Sequence, residues 1–306
     1  MTVEDLVNLP VMNNPERLMA VQMLQMAPIA LQANPLLFNL STLIMFELTL
    51  NYGTSPISCR CFSDFGHTIG KVVADYKTGY KLGQAAFALI NKFKAESQKP
   101  SVYYIFPYIS YWRVHYKESI DYYDLSYKTG LKIGDVMHAT YAISHKIHLL
   151  MWVGKNLNEC KVETENSILF LKQTKGAAPL ALVEIIHYAI EEFQSVPNNA
   201  GQNYQQDHIS RYNKVIKRIE KIRNSTYLAR FYLYNVYISV ILDDMSAAEK
   251  WNGLVEDIGF AEIYDFAMPD YYLFKAMILI NKWEYCTPNE RIKIKESLYN
   301  IKKRIK

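Results

Sequence analysis

The sequence predicts an all-α chain folded as a right-handed solenoid of stacked helical hairpins. Three observations carry this prediction. The triplets Ala74-Asp75-Tyr76, Val114-His115-Tyr116 and Gly154-Lys155-Asn156 recur forty positions apart, and each joins two apolar, helix-like segments. Helix starts are marked again and again by a capping residue followed by proline. Strand signals are nearly absent, with no sustained alternation of apolar and polar residues. A repeat of this length implies supersecondary units that bury their apolar faces only by stacking on neighbours.

The elements follow in order. Asn14-Pro15 and Asn34-Pro35 open helices over 15–32 and 35–52, with Pro28 kinking the first. Ser55-Pro56 opens a helix over 56–73, which pairs with 75–94. Residues 100–113 and 116–133 form a third pair, with Pro107 bending its first member, and 135–153 and 156–174 form a fourth. A helix over 178–195 leads into the polar stretch Val196–Asp207, which reads as a long loop. Helices over 209–222, 225–243, 246–258, 269–285 and 288–306 complete the chain. Thr287-Pro288 with Glu290 makes a capping box at the last of them. The expected organisation is therefore N-terminal helical repeats over 1–195, a polar loop over 196–208, and a C-terminal continuation over 209–306. The last helix carries no polar outer face, so the stack is expected to be truncated there.

Within the repeat, Tyr76-Lys-Thr-Gly79-Tyr80-Lys-Leu-Gly83-Gln-Ala85-Ala86 and Tyr116-Lys-Glu-Ser119-Ile120 share a grammar. An aromatic opens each helix and small residues follow at helical intervals. That is the pattern of tetratricopeptide-like hairpins, whose stacks bind partners. Gly66 and Gly70, and then Gly79 and Gly83, are four apart and share one face of their helices, where small residues admit a close neighbour.

Composition narrows the function. Half of the 306 residues are hydrophobic and 21% are charged, a folded, globular balance, and a net charge of +4 is too small to imply a nucleic-acid partner. The 24 Tyr and 13 Phe suit helices that interlock through large rings. Cys59, Cys61, Cys160 and Cys286 lack the spacing of a zinc or disulfide framework and read as reduced thiols of a cytoplasmic protein. Glu4 and Asp5 break the order of a signal peptide, and Pro35–Leu50 is too short and too polar for a membrane span.

Several segments together resemble a known family. They are Leu9-Pro10-Val-Met-Asn-Asn-Pro15-Glu-Arg-Leu, Ala33-Asn34-Pro35-Leu-Leu-Phe, Leu50-Asn-Tyr-Gly53-Thr-Ser-Pro56, Asp75–Gln84, Tyr111-Trp112-Arg113 with Glu118-Ser119, and Tyr141-Ala-Ile-Ser-His145. In this order and spacing they resemble the tetratricopeptide-like region of large bacterial multi-sensor signal-transduction kinases. There, a serine/threonine kinase domain and an AAA-type ATPase precede the helical region. The resemblance covers most of the chain, most sharply 5–175. It implies a regulatory, non-catalytic role. No kinase loop, His-Arg-Asp segment, Asp-Phe-Gly or Walker motif of the family has a counterpart here.

Four candidate sites remain. Gly66-His-Thr-Ile-Gly70-Lys71-Val72 has a superficial P-loop look, but is one residue short, lacks the Ser or Thr and falls inside a helix. It reads as helix packing. His138, His145 and His148 could share a face with Glu163 or Glu165 nearby, yet lack a ligand motif. They read as packing and capping groups, and no metal or cofactor is expected. Arg211–Arg223 is basic and amphipathic, either a packed helix with a charged outer face or a surface for an acidic partner or membrane.

The fourth candidate is the groove. The register set by Gly66 turns Arg60, Ser63, His67 and Lys71 toward the concave face, and the forty-residue offset adds Tyr103 and Tyr111. Such a cationic and aromatic surface suits an extended peptide, a protein partner, or the adjoining ATPase or kinase domains. The expected function is an interaction and regulatory module. The alternatives are a free-standing adaptor or effector of the same fold, and a small-ligand sensor.

Overall fold

A computed structural model of the chain describes residues 2–31, 35–195, 202–259 and 267–305. Among the described residues the fold is all-helical, with a single isolated β-bridge, Val11 to Thr54, and no strand. The chain divides into two compact units, Met1–Val153 and Gly154–Lys306. This division differs from the 1–195, 196–208 and 209–306 organisation read from the sequence. The helix over Ala177–Ser195 packs on the helices both before and after it.

The first unit contains α1 (Val3–Val7), α2 (Pro15–Leu31), α3 (Pro35–Tyr52), α4 (Ser58–Val73), α5 (Tyr76–Phe93), α6 (Lys99–Ser110), α7 (Tyr116–Ile133) and α8 (Val136–Trp152). Neighbours in sequence pack as pairs, and α4, α6 and α8 also pack on one another in succession. These three helices thus share one layer.

Local chemistry explains the boundaries. Asn14 accepts from the Arg17 N–H (3.0 Å), Asp75 from Thr78 (2.9 Å), and Asp135 from His138 (3.1 Å), each satisfying an orphan donor at a helix start. Ser55 differs from the expectation. Its backbone N–H donates to the Ser58 hydroxyl (3.0 Å) and α4 starts at Ser58, because Pro56 and Ile57 form a turn first. The Asn34 cap lies outside the described residues. Two short elements escaped the sequence reading: α1, closed by a Thr2–Asp5 capping box, and a 3-10 turn at Glu96–Gln98.

Gly53 fixes the N-terminal segment. It has φ 103°, and a Cβ there would stand 2.2 Å from the Pro10 carbonyl oxygen. The chain can therefore close the pair of bonds from Met12 N–H to Thr54 (2.9 Å) and from Thr54 N–H to Pro10 (2.7 Å). Lys92 of α5 reaches the freed carbonyl of Val7 at the end of α1 (2.6 Å). Leu6, Met12, Val21, Met45, Phe62 and Leu89 belong to the core beneath, each burial contributing about 1.5–3 kcal/mol.

The second unit contains α9 (Leu157–Gln173), α10 (Ala177–Ser195), α11 (Gln202–Ile222), α12 (Ser225–Ile241), α13 (Met245–Ile258), α14 (Met268–Trp283) and α15 (Pro288–Ile305). The loop expected over 196–208 falls partly on helix. Residues 196–201 lie outside the described residues, and from Gln202 the chain is already helical. Helix α10 is buried along most of its length and packs on α9, α11 and α12.

Candidate functional site

The α4–α6–α8 layer carries a continuous row of rings. Helical spacing supplies it: His67 from α4, Tyr104 and Tyr108 one turn apart on α6, and His138, Tyr141 and His145 on α8. The His67 ring lies 5.4 Å from that of Tyr108, which lies 5.5 Å from His145. Tyr104 touches His145 (5.4 Å), His138 (5.9 Å) and Tyr141 (6.0 Å). The Tyr104 and Tyr108 hydroxyls are 3.2 Å apart. His67, Tyr104, Tyr108 and Tyr141 are half-buried, whereas His138 and His145 are buried.

An ion pair and an imidazole–carboxylate contact brace the row. The Arg60 Nε donates to Asp64 (3.2 Å), whose side chain is only 2% exposed, and Asp135 meets His138 Nδ1 at 2.6 Å. Burial pushes the Asp64 carboxyl above the usual carboxylate range, against the pull of Arg60 and His138. Burial also pushes Asp135 up, but the hydrogen bond and charge of His138 outweigh it and leave the group low. Burial, with the Lys71 charge adding to it, drives His67 down to about 4, so its imidazole is neutral at pH 7. The face is consequently charge-compensated. It can hold a segment by ring stacking and by hydroxyl and imidazole hydrogen bonds, rather than by net positive charge.

The sequence-predicted residues fall variously. Arg60 and His67 are on this face. Lys71 is exposed at the end of α4. Ser63 is fully buried, and Tyr111 is buried among Tyr108, Trp112 and Tyr116. Tyr103 is half-buried with its ring against Phe87 (5.7 Å) and Tyr122 (6.4 Å) of α5 and α7. Sequence reasoning missed Asp64, Tyr104 and Tyr108. The same forty-residue offset applied to Asp64 instead of Ser63 leads to Tyr104, so the signal was present one residue further on.

The other candidates resolve into structure. Gly66-Gly70-Lys71 is helical throughout, with no loop to cradle a phosphate. His138 engages Asp135, His145 Nδ1 lies 2.9 Å from the Tyr141 carbonyl, and the His148 ring stands 6.2 Å from Trp152. Among the described residues no group of three or more His, Cys, Asp or Glu side chains is placed to hold a metal ion. No helix of the described residues is long and apolar enough to cross a membrane.

In the second unit, the basic helix turns Arg211 and Arg218 inward. Arg218 pairs with Glu184, and Arg211 donates to Glu192 (2.8 Å), which His208 also meets at 2.9 Å. Glu184 and Glu192 are buried, and between them Tyr188 donates to Asn235 of α12 (2.9 Å). Burial pushes the Glu192 carboxyl up, but the His208 and Arg211 hydrogen bonds prevail and hold it below the usual glutamate range. Only Lys214, Lys217, Lys221 and Arg223 of the basic run remain at the surface. A separate cleft of about 350 Å³ lies among α13, α14 and α15, lined by Met245, Ile278 and the Lys282–Glu249 ion pair.

No protein-family model and no curated protein matches the chain. The likeness to the helical region of signal-transduction kinases therefore rests on its motifs alone.

Proposed function

We propose that this chain is a non-catalytic interaction and regulatory module, a right-handed tetratricopeptide-like solenoid that seats a peptide or a neighbouring domain on its α4–α6–α8 face. The carrying observation is the ring row itself. Six aromatic and imidazole side chains from three helices that pack on one another in succession line up, four of them half-buried. Tyrosine-rich, braced surfaces of this kind supply contact area at small conformational cost. The packing of α4 on α6 and of α6 on α8 supports the tetratricopeptide-like reading, since in such stacks the first helices line the concave face.

The motif resemblance supports placing the module in a large multidomain signalling kinase, where a bound segment biases the packing of the stack and so the attached ATPase or kinase. A photo-crosslinking residue at Tyr108 tests the reading in source cells. The expected result is one discrete adduct, internal or intermolecular, lost on Tyr104→Ala and absent when the crosslinker replaces exposed Tyr299 on α15. ATP hydrolysis by the isolated chain, removed by substitutions at this face, would sink the non-catalytic assignment.

A further inference from the structure

A cluster of rings in the second unit carries different chemistry. Asn224 and Asp244 cap α12 and α13, accepting from the Thr226 and Ala247 N–H groups (2.9 Å each). These caps hold three successive helices on short turns, and α12 packs on both α11 and α13. Tyr212 of α11, Tyr232 of α12 and Trp251 of α13 converge as a result. The Trp251 ring lies 5.7 Å from Tyr232 and 6.3 Å from Tyr212, with planes inclined by 35° and 41°. Beneath them the fully buried Phe231 ring stands 5.3 Å from Tyr212 and 6.2 Å from Tyr232. Tyr212, Tyr232 and Trp251 are each half-buried, so each keeps part of its ring toward water.

Charge indicates the ligand. Burial, then the charges of Tyr212 and Glu220 beside it, raise the Tyr232 hydroxyl above the ordinary tyrosine value. Surroundings that resist a phenolate attract a cation. Glu220 is exposed and forms no ion pair among the described residues. Lys214, Lys217 and Lys250 lie on the same helices, yet no described Lys or Arg sits over these three rings. Elsewhere in the unit the chain does supply such cations: Arg291 (5.4 Å) and Lys295 (5.5 Å) both lie over Trp283. Ring faces attract positive charge through their quadrupole but replace none of the hydrogen bonds that water makes to an N–H group. A primary ammonium is therefore a poor fit, because it is strongly hydrated. A methylated ammonium spreads its charge over C–H groups and has little hydration to lose. We propose that Tyr212, Tyr232 and Trp251, with the Glu220 carboxylate beside them, form a binding site for a quaternary ammonium group, carried by a trimethylated lysine or by a choline-type small molecule.

This inference is independent of the α4–α6–α8 face and of the role proposed for it. The test is calorimetric titration of the full chain with choline, with its uncharged tert-butyl analogue, and with a peptide carrying trimethyllysine or unmodified lysine. Saturable binding of choline or of the trimethyllysine peptide is expected, with the uncharged analogue and the unmodified peptide about tenfold weaker. Trp251→Leu keeps apolar bulk without the ring face and should also weaken binding about tenfold, with the melting temperature reporting its fold. If it does not fold, Tyr232→Leu replaces it. Glu220→Gln alters an exposed side chain and should weaken binding at low salt more than at high salt. Tighter binding of the trimethyllysine peptide would assign the group to a modified protein, and tighter binding of choline to a small molecule; either result supports the site. Absence of saturable binding by both cations would overturn it. Equal binding of the uncharged analogue would do the same, as would a folded ring variant that binds unchanged.

Discussion

Gly66 and Gly79 meet backbone to backbone where α4 crosses α5. A Cβ on Gly66 would stand 2.8 Å from the Gly79 oxygen, and one on Gly79 would stand 2.6 Å from the Gly66 oxygen. Neither obstacle is a side chain that can swing aside.

Gly66→Ala and Gly79→Ala should each destabilise the chain despite alanine's better helix propensity. That propensity offers about 1 kcal/mol, while forcing packed helices apart costs about 1–3 kcal/mol. A net loss of up to about 2 kcal/mol in urea unfolding is expected. Unchanged or increased stability would show that the helices separate freely at this crossing.

His67 should make stability fall with acid. Its folded pKa of about 4 lies below the ordinary 6.5, so between those values the unfolded chain binds more protons than the folded one. The stabilisation is complete above pH 6.5 and is lost as pH falls toward 4. His67→Phe keeps a ring against Tyr108 and should flatten that slope, narrowing the loss by about 3 kcal/mol at most. Parallel pH–melting curves for the two proteins would refute the assignment.

Much of this architecture was legible, and the exceptions have physical causes. Caps at Asn14 and Thr287 announce themselves because a short acceptor beside the first turn has one productive geometry. The forty-residue offset led from α4 to α6, yet the face they share was set one residue off, at Ser63 and Tyr103 rather than Asp64 and Tyr104. On a helix one residue is a rotation of about 100°. Which of two adjacent polar or aromatic residues points inward depends on the neighbouring helix, and periodicity within one helix does not encode that. Arg211 and Arg218 illustrate the same point. The sequence presents a basic stripe, but the partners that turn it inward, Glu184 and Glu192, lie on another helix.

Glu192 should matter most in the second unit. Its carboxylate is 1% exposed and bonded to both His208 and Arg211. Glu192→Gln removes the charge and leaves Arg211 facing a neutral amide, an expected loss of about 3 kcal/mol at pH 7. Because the folded carboxyl is held low, its stabilisation is present above the ordinary glutamate pKa of 4.5 and vanishes as pH falls through the folded value. The two proteins should therefore converge in acid. A gap that persists there would point to packing rather than charge.

Thiol reactivity should separate the four cysteines. Cys59, Cys61 and Cys160 are buried, and burial pushes the Cys59 thiol up to about 12 and raises the other two as well. Cys286 is partly exposed. An aromatic disulfide reagent should titrate one thiol quickly in the native protein and the other three only on unfolding. Cys286→Ser should abolish the fast phase, and a fast phase surviving in that variant would contradict the burial of the others.

The pairing of each helix with its neighbour in sequence also governs how the chain acquires its structure. In the first unit the contacts of α4 with α5, α6 with α7, and α7 with α8 join segments separated by short turns. Closing such small loops costs little entropy, so the search for the native arrangement is mostly local. The hairpins can form early and in any order, then zip onto their neighbours. The exception is the clamp between Pro10–Met12 and Gly53–Thr54, which must bring together strands of chain some forty residues apart. It therefore belongs to a late step of folding and to an early step of unfolding.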